Sequence, residues 1–369
     1  MRYKVPYNYL PFEFKDTRNI FKEWSKLIKS TDFTLGKFVE KFENQFSKFC
    51  GVKYCISTNN GTDALILALK SLKIGSGDEV ITVPNSFYAT TGAIVAVGAK
   101  PIFVDCDERY QIDTNLIEHK ITKKTKAILP VHWAGASPDM KKIMKIAKKY
   151  NLYVVEDACM GIGGRISNKH PGTIGHVNAF SLHPLKSLNV MGDGGMIVTN
   201  NTKIYQWVKK YRNHGMINRD QNEIWGVNMR MQPLQSIVAI ENLKKLNKVI
   251  STRNKNANYM DKKFKDMKPY VITPKRLNNN LETFSLYMVL VKKRDLLLKY
   301  LISKGIEAKI HYPIPLHKQK AHINSNYFKN EKFPVVERHA KKLITLPMHQ
   351  YIKPKQIDYI SACIKQFYN

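Results

Sequence analysis

The period of the apolar positions changes repeatedly along the chain. Tyr54-Cys55-Ile56-Ser57 is a short β-rich run, and the turn Asn59-Asn60-Gly61-Thr62-Asp63 follows it. Leu65, Ala68, Leu69 and Leu72 then recur at i, i+3, i+4 and i+7, which predicts a helix with one apolar stripe. After the turn Gly75-Ser76-Gly77-Asp78 the pattern predicts a strand at 80–83, a helix near 90–97 and a strand at 101–104. It continues with a strand at 127–131, a basic-faced helix at 140–150, and strands at 152–156, 178–182 and 196–199. Strands separated by helices need crossover connections, so the fold class expected is α/β, with a mostly parallel sheet covered on both faces.

The texture changes after Pro233. One long helical stretch is predicted from 234 to about 264. Beyond it come a strand at 285–291, a helix at 295–304 closed by Gly305, a strand at 307–312 and a last helix at 355–367. This reads as a smaller α+β unit. The expected division is a large domain over 1–250 and a small C-terminal domain over 251–369, with residues 1–15 as an extended arm.

Composition narrows the classes. The chain has 369 residues and is 43% apolar, enough for two subdomains and too apolar for general disorder. No run of 18 apolar residues reads as a membrane span, and Met1-Arg2-Tyr3-Lys4-Val5-Pro6 has no apolar signal core, so a cytoplasmic location is expected. The five cysteines are odd in number and form no CxxC pair, so reduced thiols are expected, with no disulfide or zinc site. The histidines show no metal-binding spacing. The formal charge is +31, but the lysines are spread along the whole chain, as in Lys123-Lys124 and Lys148-Lys149. A solvated basic surface explains this better than nucleic-acid binding. Such a field would also attract an anionic substrate such as a nucleotide diphosphate.

Three segments carry candidate chemistry. At Asn60-Gly61-Thr62-Asp63 a helix opens after a strand, and a helix N-terminus with free N–H groups binds phosphate; Thr62 or Asp63 as a simple cap is the alternative. At Val154-Val155-Glu156-Asp157-Ala158 an apolar strand ends in two carboxylates, where a sheet of this kind gathers ligands. A carboxylate there can hold a pyridinium nitrogen protonated, or it can be a buried structural Asp. Third, Ser181-Leu182-His183-Pro184-Leu185-Lys186-Ser187-Leu188-Asn189 leads into Gly192-Asp193-Gly194-Gly195. A loop lysine among apolar neighbours can be kept neutral enough to act as a nucleophile, or it can be an ordinary surface lysine of a lysine-rich chain.

Together these segments resemble the DegT/DnrJ/StrS family of sugar aminotransferases, pyridoxal-phosphate (PLP) enzymes of fold type I, over nearly the whole chain. The residues 59–65 are similar to the family's phosphate turn, which implies Gly61 and Thr62. Val83-Pro84-Asn85-Ser86-Phe87-Tyr88 is similar to the segment with the ring-stacking aromatic, here Phe87. Asp157 matches the pyridinium partner, Ser181 stands before the lysine loop, and Lys186 matches the lysine that holds the cofactor and moves the proton. Gly226-Val227-Asn228-Met229-Arg230 resembles a segment whose Asn, here Asn228, reaches the phosphate of a partner subunit. His311-Tyr312-Pro313-Ile314-Pro315-Leu316-His317 resembles a substrate-side loop, implying His311, Tyr312 and His317, and His183 reads as structural or substrate-contacting. The resemblance implies a homodimer, glutamate as donor and a nucleotide-linked keto-deoxy sugar as acceptor, aminated at C3.

Two positions depart from the family pattern. Met160 stands where Gln or His is usual near the cofactor's phenolic oxygen, and a thioether is only a weak acceptor. Ser187 replaces a frequent Asn after the lysine. His132, next to Trp133, is expected to be a satisfied buried histidine. Rival readings are a non-catalytic regulator, a PLP-dependent sugar dehydratase and a keto-cyclitol aminotransferase. Intact Lys186 and Asp157 speak against the first, and intact Lys186 against the second.

Overall fold

Seven strands form one sheet in the computed structural model, which describes residues 3–327 and 330–369. Their spatial order is Lys100–Phe103, Glu79–Thr82, Thr125–Ile128, Tyr153–Val154, Asn178–Ser181, Gly195–Thr199, Tyr54–Thr58. The two hydrogen-bonded blocks join through Asp157, whose backbone bridges in parallel to Val131 on one side and Ala179 on the other. Six strands run parallel; Gly195–Thr199 runs antiparallel to both neighbours. Glu79–Thr82, Asn178–Ser181 and Gly195–Thr199 are buried at every position, as strands covered on both faces must be.

The covering helices follow their apolar stripes. In Gly61–Ser71, Leu65, Ala68 and Leu69 are buried in the core; in Met140–Lys149, Met140, Ile143, Ile146 and Ala147 face in while the lysines face water. Two helices ahead of the sheet, Arg18–Ser30 and Gly36–Cys50, lie where the sequence reading placed no element. Their signal was present: Phe38, Val39, Phe42 and Phe46 are buried at helical spacing.

A second core lies beyond the sheet. Val271–Ile272, Tyr287–Val291 and Leu343–Leu346 pair antiparallel beneath Arg294–Ser303 and Pro354–Tyr368. The stretch expected as one helix is two, Pro233–Leu243 and Leu246–Phe264. The longer one joins the cores, with Leu246 and Ile250 packed beside the large sheet and Ala257, Met260 and Phe264 in the second core. Residue 250, the expected boundary, therefore lies inside a continuous helix. Leu316, Phe333 and Val336 return to the large core.

The strand expected at 307–312 does not form. Ile306 pairs with Val5 of the arm and Lys309 with Thr345, each through a single bridge, and the chain then turns toward the sheet with His311 and Tyr312. The arm is not simply extended either. Residues 10–13 form the short helix Leu10–Glu13, while residues 1–2 of the expected arm lie outside the described residues.

Candidate active site

The carboxyl ends of the parallel strands surround a cavity of about 280 Å³. Its first wall is the N-terminus of Gly61–Ser71. Asn60 caps this helix, its Oδ1 accepting the Asp63 N–H at 2.8 Å, and donates Nδ2–H to the Asp63 carboxylate at 3.1 Å. Capping thus falls to Asn60 and not to Thr62 or Asp63, and Thr62 lines the cavity. Gly61 is needed for proximity: a Cβ there would stand 2.7 Å from the Ser181 Cβ. The strand carrying Ser181 therefore closes directly onto the helix end, and Ser181 lines the same wall.

Asp157 forms the floor. Strand residues alternate faces, so neighbouring carboxylates part company. Asp157 lines the cavity, its Oδ2 accepting the Thr90 hydroxyl at 2.7 Å and its Oδ1 the Cys159 N–H at 3.2 Å. Ser86 Oγ lies 2.7 Å from the same Thr90 hydroxyl. Glu156 is buried on the other side against His132 Nε2 (2.8 Å) and the N–H groups of Gly172, Ile174 and Gly175. Burial pushes the Glu156 pKa up, but His132 and these amides outweigh it and hold the group below its usual value. His132 is fully buried, and its other ring nitrogen meets Ser137 Oγ at 2.9 Å.

Lys186 enters from the loop between Asn178–Ser181 and Gly195–Thr199. Burial lowers its pKa, against the opposing effects of Cys159 and Asp157. The loop is tied down at several points. Ser187 Oγ donates to the Ile162 carbonyl (2.9 Å), Asn242 Nδ2 to that of Asn189 (3.0 Å) and Gln235 Nε2 to that of Asp193 (2.6 Å). Ser187 thus serves the backbone, where the family pattern often has Asn.

The structure brings ten of the expected residues to one cavity: Gly61, Thr62, Phe87, Asp157, Met160, Ser181, His183, Lys186, His311 and Tyr312. Phe87 ends the segment before Tyr88–Ala96 and keeps 47% of its surface exposed. The Met160 carbonyl accepts from the hydroxyls of Thr283 (2.6 Å) and Ser285 (2.9 Å), which fixes its backbone. His311 Nδ1 lies 3.0 Å from Thr345 Oγ1; burial, Lys309 and Lys186 push its pKa down to about 4, so the ring is neutral at physiological pH. Burial and Tyr88 push Tyr312 up to about 12, and burial and Lys186 lower His183, against Asp193.

Two expected residues stand elsewhere. His317 does not line the cavity: it is buried against the Phe333 ring at 4.7 Å, with Nε2 3.2 Å from Glu337. The chain turns at Pro315, so Leu316 N–H bonds the Pro84 carbonyl and His317 points into the core. Asn228 is exposed on an outer segment. Conversely, Tyr7, Trp133, Cys159 and Ser285 line the cavity without having been expected there. Tyr7 and Ser285 come from distant parts of the chain, and no local pattern marks them.

PLP requires a phosphate site, a carboxylate for its ring nitrogen, an apolar face for its ring and an amine for its aldehyde. The open helix end with Ser181, buried Asp157, Phe87 and half-buried Lys186 provide these around one cavity, so the residues fit the group. Among the described residues no cluster of three or more His, Cys, Asp or Glu is placed to hold a metal ion. Fold and site thus define a fold type I PLP enzyme.

The chain belongs to the DegT/DnrJ/EryC1/StrS aminotransferase family, whose model matches residues 15–365. It is 36% identical over 351 residues to the dTDP-3-amino-3,6-dideoxy-alpha-D-galactopyranose transaminase of Aneurinibacillus thermoaerophilus, covering 95% of each chain. It is 35% identical over 340 residues to the UDP-2-acetamido-2-deoxy-3-oxo-D-glucuronate aminotransferase of Pseudomonas aeruginosa, covering 92% of this chain and 93% of that one. The crystal structure of NtdA from Bacillus subtilis with its cofactor PMP superposes with a TM-score of 0.92 at 29% identity, covering 99% of this chain and 86% of that one. The protein is a PLP-dependent aminotransferase of this family.

Proposed function

We propose that this enzyme moves an amino group from glutamate to C3 of a nucleotide-linked keto-deoxy sugar, in amino-sugar biosynthesis. The observation that carries the reading is Lys186, its pKa lowered by burial, lining one cavity with Asp157 at the open N-terminus of Gly61–Ser71. PLP, when bound, supplies an aldehyde that accepts the amino nitrogen and a ring that withdraws electrons from the carbon losing its proton. Lys186 Nζ would hold the cofactor and, once released, move the proton of the donor's α-carbon. The Asp157 carboxylate would hold a proton on the ring nitrogen. The amides of Gly61 and Thr62, with the Thr62 and Ser181 hydroxyls, would take the phosphate. Phe87 would cover the ring, and Met160 lines the same cavity. His183, His311 and Tyr312 line the sugar side, His311 as a neutral hydrogen-bonding group.

Both relatives are named for sugars carrying nitrogen or a keto group at C3, which supports amination there. A homodimer is supported by the outer segment around Asn228, where Trp225 is 90% exposed beside exposed Val227, with Ile217 also uncovered. An apolar patch of this kind calls for a partner surface, and a second copy would bring Asn228 to the phosphate. Five free thiols suit a reducing compartment, and we place the enzyme in the cytoplasm. Among the described residues no helix is long and apolar enough to cross a membrane.

The test is a panel of nucleotide-linked 3-keto and 4-keto sugars and a keto-cyclitol, each incubated with ¹⁵N-glutamate. Label on C3 is expected. Label on C4 or on the cyclitol overturns the proposed substrate. Loss of water without nitrogen transfer, or no turnover on any of them, likewise overturns the proposed acceptor class.

A further inference from the structure

Ser187, Asn189 and Asp193 each have a fixed partner, but none of those bonds reaches the lysine itself. At Lys186 the long-range contact comes from the opposite end of the chain: the Tyr9 hydroxyl donates to the Lys186 carbonyl at 2.9 Å. Tyr9 is 4% exposed. Its ring lies under the Arg253 guanidinium at 5.2 Å and beside the His349 ring at 5.5 Å. Burial raises its pKa, against the effect of Arg253, so the phenol keeps its proton and is a donor at working pH.

The segment that carries Tyr9 is anchored to the second core. Val5 N–H bonds the Gly305 carbonyl and the Val5 carbonyl accepts Glu307 N–H, both at 3.0 Å. Tyr7 N–H bonds the Glu307 carboxylate at 2.7 Å, and His349 Nε2 lies 3.1 Å from the Pro6 carbonyl. Glu13 is held by the side chains of Gln350 and Tyr351. Residues 5–13 thus form a strap, fixed on one side to the C-terminal unit and touching the lysine loop through one hydroxyl. The same strap puts Tyr7 into the cavity, its ring stacked 5.9 Å from His311.

We infer that Tyr9 is a positioning residue for the reaction: its hydroxyl holds the Lys186 backbone in register with the cavity and couples the lysine loop to the C-terminal unit. This rests on Lys186 being the working lysine. Catalytic groups must be held to a fraction of an ångström, and their supports count with them.

Tyr9→Phe removes the hydroxyl and keeps the ring between Arg253 and His349, so the variant folds. A neutral hydrogen bond contributes about 1 kcal/mol, a factor of about five. Hydrogen exchange of the cofactor-free protein is the first readout. Amides of 183–194 should exchange about fivefold faster in Tyr9→Phe, with the strand Gly195–Thr199 unchanged. In the loaded enzyme kcat per folded, PLP-loaded subunit should fall by at least the same factor while KM for both substrates holds; loss of folded enzyme alone leaves that normalised kcat unchanged. Unchanged loop exchange overturns the inference, and so does faster exchange with unchanged kcat. Lys186→Ala is the separate control: if it retains turnover, the reading of the lysine fails whatever Tyr9→Phe shows.

Discussion

Asp157 and Glu156 show how much one residue's facing decides. Both follow the strand Tyr153–Val154, yet Glu156 is consumed by His132 and three backbone amides while Asp157 keeps its carboxylate at the cavity. Asp157→Asn preserves the shape and leaves an oxygen for the Thr90 hydroxyl, but removes the charge. We expect PLP to remain bound and kcat to fall by roughly 100- to 1000-fold, the loss typical of one aligned electrostatic group. Cofactor content by absorbance, together with steady-state rates, checks this; equal rates in the two proteins would make Asp157 structural.

At the scale of elements, the cradle depends on a helix end and a strand end meeting without a side chain between them. The φ of Gly61 is not in the left-handed region, so alanine is acceptable to the backbone and the cost lies in contact with Ser181. Crowding of this kind costs about 1–3 kcal/mol. Gly61→Ala is therefore expected to weaken PLP binding by about 5- to 150-fold, read by titrating the cofactor-free protein. An affinity within twofold of the parent would show that the wall relaxes and the phosphate does not sit against it.

At the scale of the whole molecule, two expectations concern assembly and pH. If Asn228 serves the partner's site, Lys186→Ala and Asn228→Leu are each poorly active alone. Mixed dimers then regain up to about half the parental activity, because one of their two sites has both residues intact. Confirmed subunit exchange with no recovery would place Asn228 in its own chain's site or in none. The pH expectation concerns His349, which joins the strap to the second core and is 2% exposed. Burial and Arg253 push its pKa down to about 4, against the Pro6 carbonyl. The fold favours the neutral ring, so the unfolded chain binds the extra proton below about pH 6.5. Stability falls as pH drops from there to about 4, by up to about 3 kcal/mol from this residue, and levels off below. His349→Gln cannot titrate and can still donate to Pro6. Its denaturation midpoints should fall less steeply over that range, and a slope identical to the parent's would remove His349 from the account.

The sequence by itself determined what depends on neighbours within a few residues. The alternation of strands and helices, the glycine at the helix start, the strand-end carboxylates and the lysine loop were all legible, because periodicity and turn chemistry are local. Helix and strand limits shifted by a few residues, and the two early helices were missed although their apolar spacing was present. What only the tertiary structure decided depends on contacts between distant segments. Which of Glu156 and Asp157 faces the cavity was set by strand pairing on both sides. His317 went into the core because the chain turns after Pro315. Asn60 took the capping role because its own backbone is extended at the helix entrance. Tyr9 and Lys186 are 177 positions apart and meet through one hydroxyl, and Tyr7 reaches the cavity only because Val5 pairs beside Ile306. A local pattern fixes which chemical groups are available, whereas long-range packing fixes which of them share a cavity.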